Sequence, residues 1–221
     1  MKTPEKENHV LLLLDGEEPS KEFTHQFLSC CGMIIATDGA AKYAHSHDIP
    51  LDLIIGDMDS LPKDIIKQYE EKGTPVLKED EQYSNDFEKA LRYILAETPY
   101  KDVIVLGIHG KRTDHLLTNF SVMLRYTDQF DTLVAYDLTH EHHFLSEDKH
   151  WHSFNLPIGT LVSITPLPEA VGVNTVGLYY PIKKMKMVFG QHEGLSNIIS
   201  EEDASVEIAK GALLISIPIS Q

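Results

Sequence analysis

The sequence predicts an α/β unit followed by an all-β unit: an N-terminal open, mostly parallel, Rossmann-like sheet, then a C-terminal antiparallel β-sandwich. Three observations predict it. Through Tyr136, short runs of Val, Ile and Leu alternate with helical patterns; apolar runs without polar alternation are what parallel strands covered on both faces require. After Tyr136 helical periodicity disappears, and strand-like runs are cut by Pro157, Gly159, Pro166, Pro168, Gly172 and Gly177 among others, the texture of a small antiparallel fold. The 221 residues allow one large domain or two modest ones at about 150 residues each. A boundary near 136–145 gives an α/β unit over residues 1–138 and a β unit over 139–221.

In chain order, His9–Asp15, Met33–Thr37, Leu53–Asp57, Pro75–Lys78, Val103–Gly107 and Asp131–Tyr136 read as the parallel strands. Asn85–Ala96 is the clearest helix, with Phe87, Ala90, Leu91, Ile94 and Leu95 on one stripe. A second begins near Asp114 and places Leu116, Leu117, Phe120 and Leu124 on one face. Beyond the boundary, Trp151–Leu156, Thr160–Thr165, Met185–Phe189, Ser205–Ala209 and Ala212–Ile217 read as strands. Strand–helix alternation followed by strands alone sets the two-part class.

Composition narrows the partners. With 19 Lys+Arg against 34 Asp+Glu, the formal net charge is −15, which repels phosphate backbones and argues against nucleic acid. Val10–Leu14 is far short of the roughly 20 apolar residues a membrane helix needs, so no membrane partner is expected. The first residues lack a secretory pattern, and the two cysteines, Cys30 and Cys31, are adjacent and read as reduced thiols. A cytoplasmic location is expected.

Chemistry concentrates where strands end. Leu53–Gly56 runs into Asp57-Met58-Asp59-Ser60, and strand alternation points both carboxylates to one side. Like charges there repel and lose hydration, a conflict a hard cation such as Mg²⁺ removes; a solvated Asp-x-Asp turn is the plain alternative. Thr37-Asp38-Gly39-Ala40-Ala41 ends another strand and opens a helix with small residues that let backbone N–H groups approach a phosphate. Asp86 stands in the first turn of the Asn85 helix, where helix-dipole complementarity alone accounts for it. Gly107 to His115 leaves a strand with Lys111 and Arg112 and enters a helix with Asp114; a guanidinium there suits a polyphosphate. Neither Walker A nor G-x-G-x-x-G occurs. In an open α/β sheet these positions share one edge, where ligands bind. Metal–polyphosphate chemistry is the sharper reading.

Taken together, these residues resemble the thiamine pyrophosphokinase family. Its D-G-(G/A)-A, G-D-x-D-S, D-Q-D-x-T-D-x-x-K-A and G-x-x-G-G-R-x-D-H-x-L-x-N motifs are similar to Asp38–Ala41, Gly56–Ser60, Glu81–Ala90 and Gly107–Asn119, in that order. Thr175–Tyr180 resembles its G-L-K-(Y/W) segment, and Gly194–Asn197 its G-x-S-N. The resemblance implies an α/β domain joined to a β-sandwich, a homodimer, and transfer of a pyrophosphoryl group from ATP to thiamine with release of AMP. It implies Mg²⁺ on Asp57, Asp59 and Asp86, and catalysis by these three with Arg112 and Asp114. ATP would meet Asp38, Gly39, Gln82, Lys89, Lys111, Arg112 and His115. Thiamine would meet Tyr180, Ser196 and Asn197.

Departures from the family's pattern stand at Glu81 and Tyr83 in place of aspartates, Asn85 in place of Thr, and Lys111 in place of the second Gly. They leave open another heterocyclic alcohol as acceptor, or a non-catalytic nucleotide- or thiamine-binding module. His140, His142, His143, His150 and His152, with Glu141 and Asp148, crowd the domain junction. They suit either a transition metal or an exposed junction loop and one strand whose histidines interact with an acidic surface.

Overall fold

The computed structural model describes residues 8–81 and 83–219. Two compact units result, one containing the described residues through Val122 with Gln129–Leu138, the other containing Met123–Asp128 with the described residues from Thr139 onward.

The first unit is a parallel sheet with helices. Its strands are β1 (His9–Leu13), β2 (Cys31–Thr37), β3 (Leu53–Gly56), β4 (Val76–Lys78), β5 (Asp102–Leu106) and β6 (Thr132–Tyr136), in the spatial order β4-β3-β2-β1-β5-β6. Every pairing among them is parallel; Leu12 lies opposite Ile35 and Val105, and Ile55 opposite Leu77. The helices are α1 (Lys21–Leu28), α2 (Ala40–Ser46), α3 (Lys63–Glu71), α4 (Asp86–Glu97) and α5 (Thr113–Tyr126), the last of which passes into the second unit from Met123 on. One sheet face packs Leu11, Leu13, Ala36, Ile54 and Leu106 against Ala40, Ala41, Tyr43 and Tyr69. The alternate residues Leu12, Ile35, Ile55 and Val105 are just as buried, and α4 lies against β2 and β3. Burial on both faces is why these strands are continuously apolar.

Asn85 starts α4 as its N-cap, its side chain accepting from the Glu88 N–H, an arrangement that satisfies an otherwise orphaned donor. The expected apolar face of α5 needs correction: Leu117 is 60% exposed, while Val122 and Met123 are fully buried. Spacing tells which residues share a helix face, not which face is buried.

The second unit is antiparallel throughout. It comprises β7 (His140–Leu145), β8 (Trp151–Ser153), β9 (Leu161–Val176), β10 (Met185–Val188), β11 (Gly194–Ile198), β12 (Ser205–Glu207) and β13 (Lys210–Pro218). The order β7-β13-β9-β12-β8 is extended by β10 and β11, which also pair with β9. Its core joins Phe154, Val162, Ile164, Val173, Met187, Ile199, Val206 and Ile215.

Two strands were not expected. β7 is histidine-rich, yet His142 and Phe144 alternate inward. β11 coincides with the G-x-S-N segment. β9 also runs past Pro166, Pro168 and Gly172, which were expected to end it. β13 absorbs the irregularity with a register shift between Gly211 and Leu213, and Gly211 sits at φ +84, a conformation that favours glycine. Proline is tolerated where the ladder is already broken.

Candidate functional site

In the first unit, the loops that follow β1, β2, β3 and β5, together with the first turn of α4, surround a cleft of about 350 Å³. Asp38 follows β2 and is 3% exposed, accepting from the N–H of Gly39 at 2.6 Å and of Ser60 at 3.1 Å. Burial, with Asp86 and Asp57 nearby, pushes its carboxyl up to about 6 despite those two donors. Asp38, Asp57 and Asp86 each offer an oxygen within 4.8 Å of the others. Gly56 makes this convergence fit: a Cβ there would lie 3.1 Å from Asp38 Cβ and 3.2 Å from the Asp86 carboxyl carbon.

Asp59 stands apart from that trio. β3 ends at Gly56 and Met58 is left-handed at φ 67, so the strand alternation expected to align Asp57 with Asp59 does not reach them. Asp59 is exposed, and its N–H donates to Asp57 Oδ1 at 3.0 Å. Lys89 is 3% exposed and donates to Asp86 Oδ1 and the Glu79 carbonyl, both at 3.0 Å. Its reach is through Asp86 rather than into the cleft. Gln82 lies outside the described residues.

The opposing cations come from the loop after β5. Lys111, at φ 52, extends its ammonium to Asp15 at 2.5 Å. Arg112 forks onto Asp114 through Nε–Oδ1 at 3.0 Å and a second contact at 2.5 Å. The Arg112 hydrogen bond holds the Asp114 carboxyl down at about 2. Both pairs are solvent-exposed, so exchanging a carboxylate for a ligand phosphate costs little. His115 and Asn119 of α5 complete the wall. Gly39 passes so close to Asp15 that a Cβ would sit 2.4 Å from its carboxyl carbon.

Asp15 and Gly16 are cleft residues that the sequence reading left unassigned. The signal that marks Asp38 marks Asp15 equally, since it follows an apolar parallel strand in register with β2. At the cleft Asp15, Asp38, Asp57 and Asp86 outnumber Lys111 and Arg112. A polyphosphate entering alone meets net repulsion; a divalent cation on the carboxylates reverses it. Oxygen-only donors of this kind suit Mg²⁺.

Of the departures at 81 and 83, Glu81 is engaged locally, and nothing in the structure explains Tyr83. Glu81 takes the Ser84 hydroxyl at 2.6 Å, the N–H groups of Tyr83 and Ser84, and Arg92 at 3.2 Å. Those donors, the Ser84 hydroxyl foremost, hold its carboxyl down at about 2. Tyr83 is fully exposed.

In the second unit, Tyr180 is 61% exposed and meets Tyr179 edge-on at 4.9 Å. It lines a pocket of about 460 Å³ with Ile182, Met187, His192 and Asn197. Asn197 is 3% exposed and fully engaged. Its Oδ1 accepts from the N–H of Tyr180 at 3.0 Å and of Ile198 at 2.9 Å, and its Nδ2 donates to the Tyr180 carbonyl at 2.8 Å. Asn197 therefore clasps the tyrosine backbone and has no amide hydrogen-bonding atom left idle. Ser196 is exposed, left-handed at φ 53, and donates its N–H to Ser163 Oγ.

The histidines do not assemble a metal centre. Among the described residues the aspartate trio is the one group whose ligand atoms converge. His140 stacks on His142, and His143 tilts against His152 at 5.1 Å. Burial, with His143 adding, pushes His152 down to about 4. Cys30 and Cys31 are free thiols, 4.0 Å apart.

Comparison with known proteins bears on both units. The family model described as thiamin pyrophosphokinase, catalytic domain, matches residues 24–135. The model described as thiamin pyrophosphokinase, vitamin B1 binding domain, matches residues 136–213. Thiamine pyrophosphokinase 1 of Arabidopsis thaliana is 33% identical over 171 residues, covering 71% of this chain and 61% of that protein. Thiamin pyrophosphokinase 1 of Caenorhabditis elegans is 23% identical over 195 residues, covering 84% and 78%. The crystal structure of the thiamine pyrophosphokinase from Bacillus subtilis superposes with a TM-score of 0.78 at 16% identity, covering 96% of this chain and all of the other. The thiamin pyrophosphokinase from Candida albicans superposes at 0.80 and 19% identity, covering 97% and 90%. At those identities the superpositions show the fold. The chain spans 61% of the length of the Arabidopsis relatives it matches.

Proposed function

The chain belongs to the thiamin pyrophosphokinase family, and from that premise we propose that it transfers the pyrophosphoryl group of ATP to the hydroxyl of thiamine, giving thiamine diphosphate and AMP. The observation that carries this reading is the convergence of Asp38, Asp57 and Asp86 at one cleft with Lys111 and Arg112. Phosphoryl transfer needs positioning and charge neutralisation more than a covalent nucleophile, and the cleft supplies those.

Asp38, Asp57 and Asp86 would hold Mg²⁺, with Asp59 beside them on the β3 loop. When bound, the metal neutralises triphosphate charge that these carboxylates otherwise repel. Lys111 and Arg112 leave Asp15 and Asp114 for phosphate oxygens, His115 flanks them, and the Gly39 backbone admits the nucleotide closely. Gln82 contributes on the nucleotide side. Lys89 orients Asp86 through the bond to its Oδ1. The thiamine hydroxyl oxygen attacks the β-phosphorus, the bond to the α,β-bridging oxygen breaks, AMP leaves, and the hydroxyl proton is released. Asp114, anionic near neutrality, holds Arg112 at the cleft until a phosphate oxygen replaces it.

The antiparallel unit, read as a β-sandwich, presents Tyr180 to the cationic thiamine, whose charge and flat rings suit an aromatic face. Ser196 would add a polar contact to thiamine, although it is not among the residues lining the pocket, and Asn197 sets the tyrosine backbone. The working form is a homodimer, and the α/β unit is the Rossmann-like half.

The test is formation of thiamine diphosphate from ATP and thiamine by the purified chain, with and without a chelator. Product that forms with Mg²⁺ and vanishes on chelation supports the reading. Product that persists in chelator removes the metal role of the aspartates, and no product with any metal leaves a binding module.

A further inference from the structure

Asn85 occupies the position where the family's motif has threonine, and it does more than cap a helix. Its Oδ1 accepts from the Glu88 N–H at 3.0 Å, and its Nδ2 donates to Asn119 Oδ1 at 3.1 Å. Asn119 Nδ2 in turn donates to the carbonyl of Ile108 at 3.1 Å. The chain runs from a backbone N–H to a backbone carbonyl, so its polarity is fixed at both ends and only this orientation of the two amides satisfies it.

This short relay joins the two sides of the cleft. Asp86 is the next residue after Asn85, in the first turn of α4. Ile108, 2% exposed, precedes a loop in which Gly110 and Lys111 are both left-handed, at φ 98 and 52, before Arg112. Such a loop has no regular ladder to fix it, and a few bonds set where its cations stand. Both asparagines line the cleft and are half-buried. Threonine has a single hydroxyl oxygen; used as the cap, it stops short of Asn119. Asparagine has an acceptor and a donor on separate atoms.

We propose that Asn85 and Asn119 form an amide brace that fixes the Lys111–Arg112 loop against the Asp86 end of the cleft, making Asn85 a positioning residue for the nucleotide. The proposal rests on the reading of this cleft as the ATP site.

The test compares Asn85→Thr, Asn119→Ala and the double variant, using calorimetric titration of ATP with Mg²⁺ and steady-state KM for thiamine. Asn85→Thr retains a cap acceptor and should keep the wild-type Tm. It should weaken ATP binding about fivefold, the scale of one net hydrogen bond, with the thiamine KM unmoved. Asn119→Ala should weaken ATP at least as much, and the double variant no more than Asn119→Ala alone. ATP binding at wild-type strength in Asn85→Thr, or multiplied losses in the double variant, overturns the brace. So does an equal loss for both substrates with a lowered Tm, which marks a purely structural role. A wild-type chain that binds no ATP overturns the nucleotide reading itself, and the brace's role falls with it.

Discussion

Asp38 carries the conflict on which the site is built. It is buried beside two other aspartates, and its carboxyl is raised to about 6. A group that binds its proton more tightly folded than unfolded favours the fold at low pH, and that contribution is lost as pH rises from about 4 through about 6. The metal-free chain should therefore lose on the order of 2–3 kcal/mol at this site across that window. Asp38→Asn should flatten that segment of the Tm–pH profile and raise Tm at neutral pH in chelator. An unchanged profile would mean that Asp38 is already solvated. Asp57→Asn should lower turnover by about 100-fold or more, while metal-free stability holds or improves because a like charge is gone. Near-wild-type turnover would remove Asp57 from the site.

Elements decide which of these residues meet. Parallel strands β1, β2 and β3 lie in register and deliver Asp15, Asp38 and Asp57 to one edge, and that much follows from apolar runs ending in Asp. Loss of strand geometry after Gly56 took Asp59 out of the trio, which alternation could not foretell because Met58 turns left-handed. β7 was hidden because its histidines do not read as a buried strand, although His142 faces inward and His140 and His143 are half-buried. The extent of β9 was hidden because its prolines sit where the ladder to β13 shifts. In β11, Asn197 spends all three of its amide bonds on backbone, two of them on Tyr180. Asn197→Ala should cost about 1–3 kcal/mol of stability by unfolding denaturation and raise the thiamine KM more than the ATP KM. A higher ATP KM alone would place the turn elsewhere in the reaction.

At the scale of the whole molecule, charge sets the terms. For a chain of net charge −15, the proposed polyanionic substrate calls for local cations or a metal, and carboxylates meeting two cationic side chains in one cleft answer that need. The class of chemistry was legible in the sequence because strand-end acids and the rare arginine fall at loops that an open parallel sheet gathers. The brace between Asn85 and Asn119 was not legible, since it depends on two helices and a loop closing to hydrogen-bond distance. The most direct test follows the β-phosphorus. ATP labelled there, incubated with thiamine and Mg²⁺, should yield labelled thiamine diphosphate and unlabelled AMP. Label retained in ADP, with thiamine monophosphate as the product, would contradict pyrophosphoryl transfer.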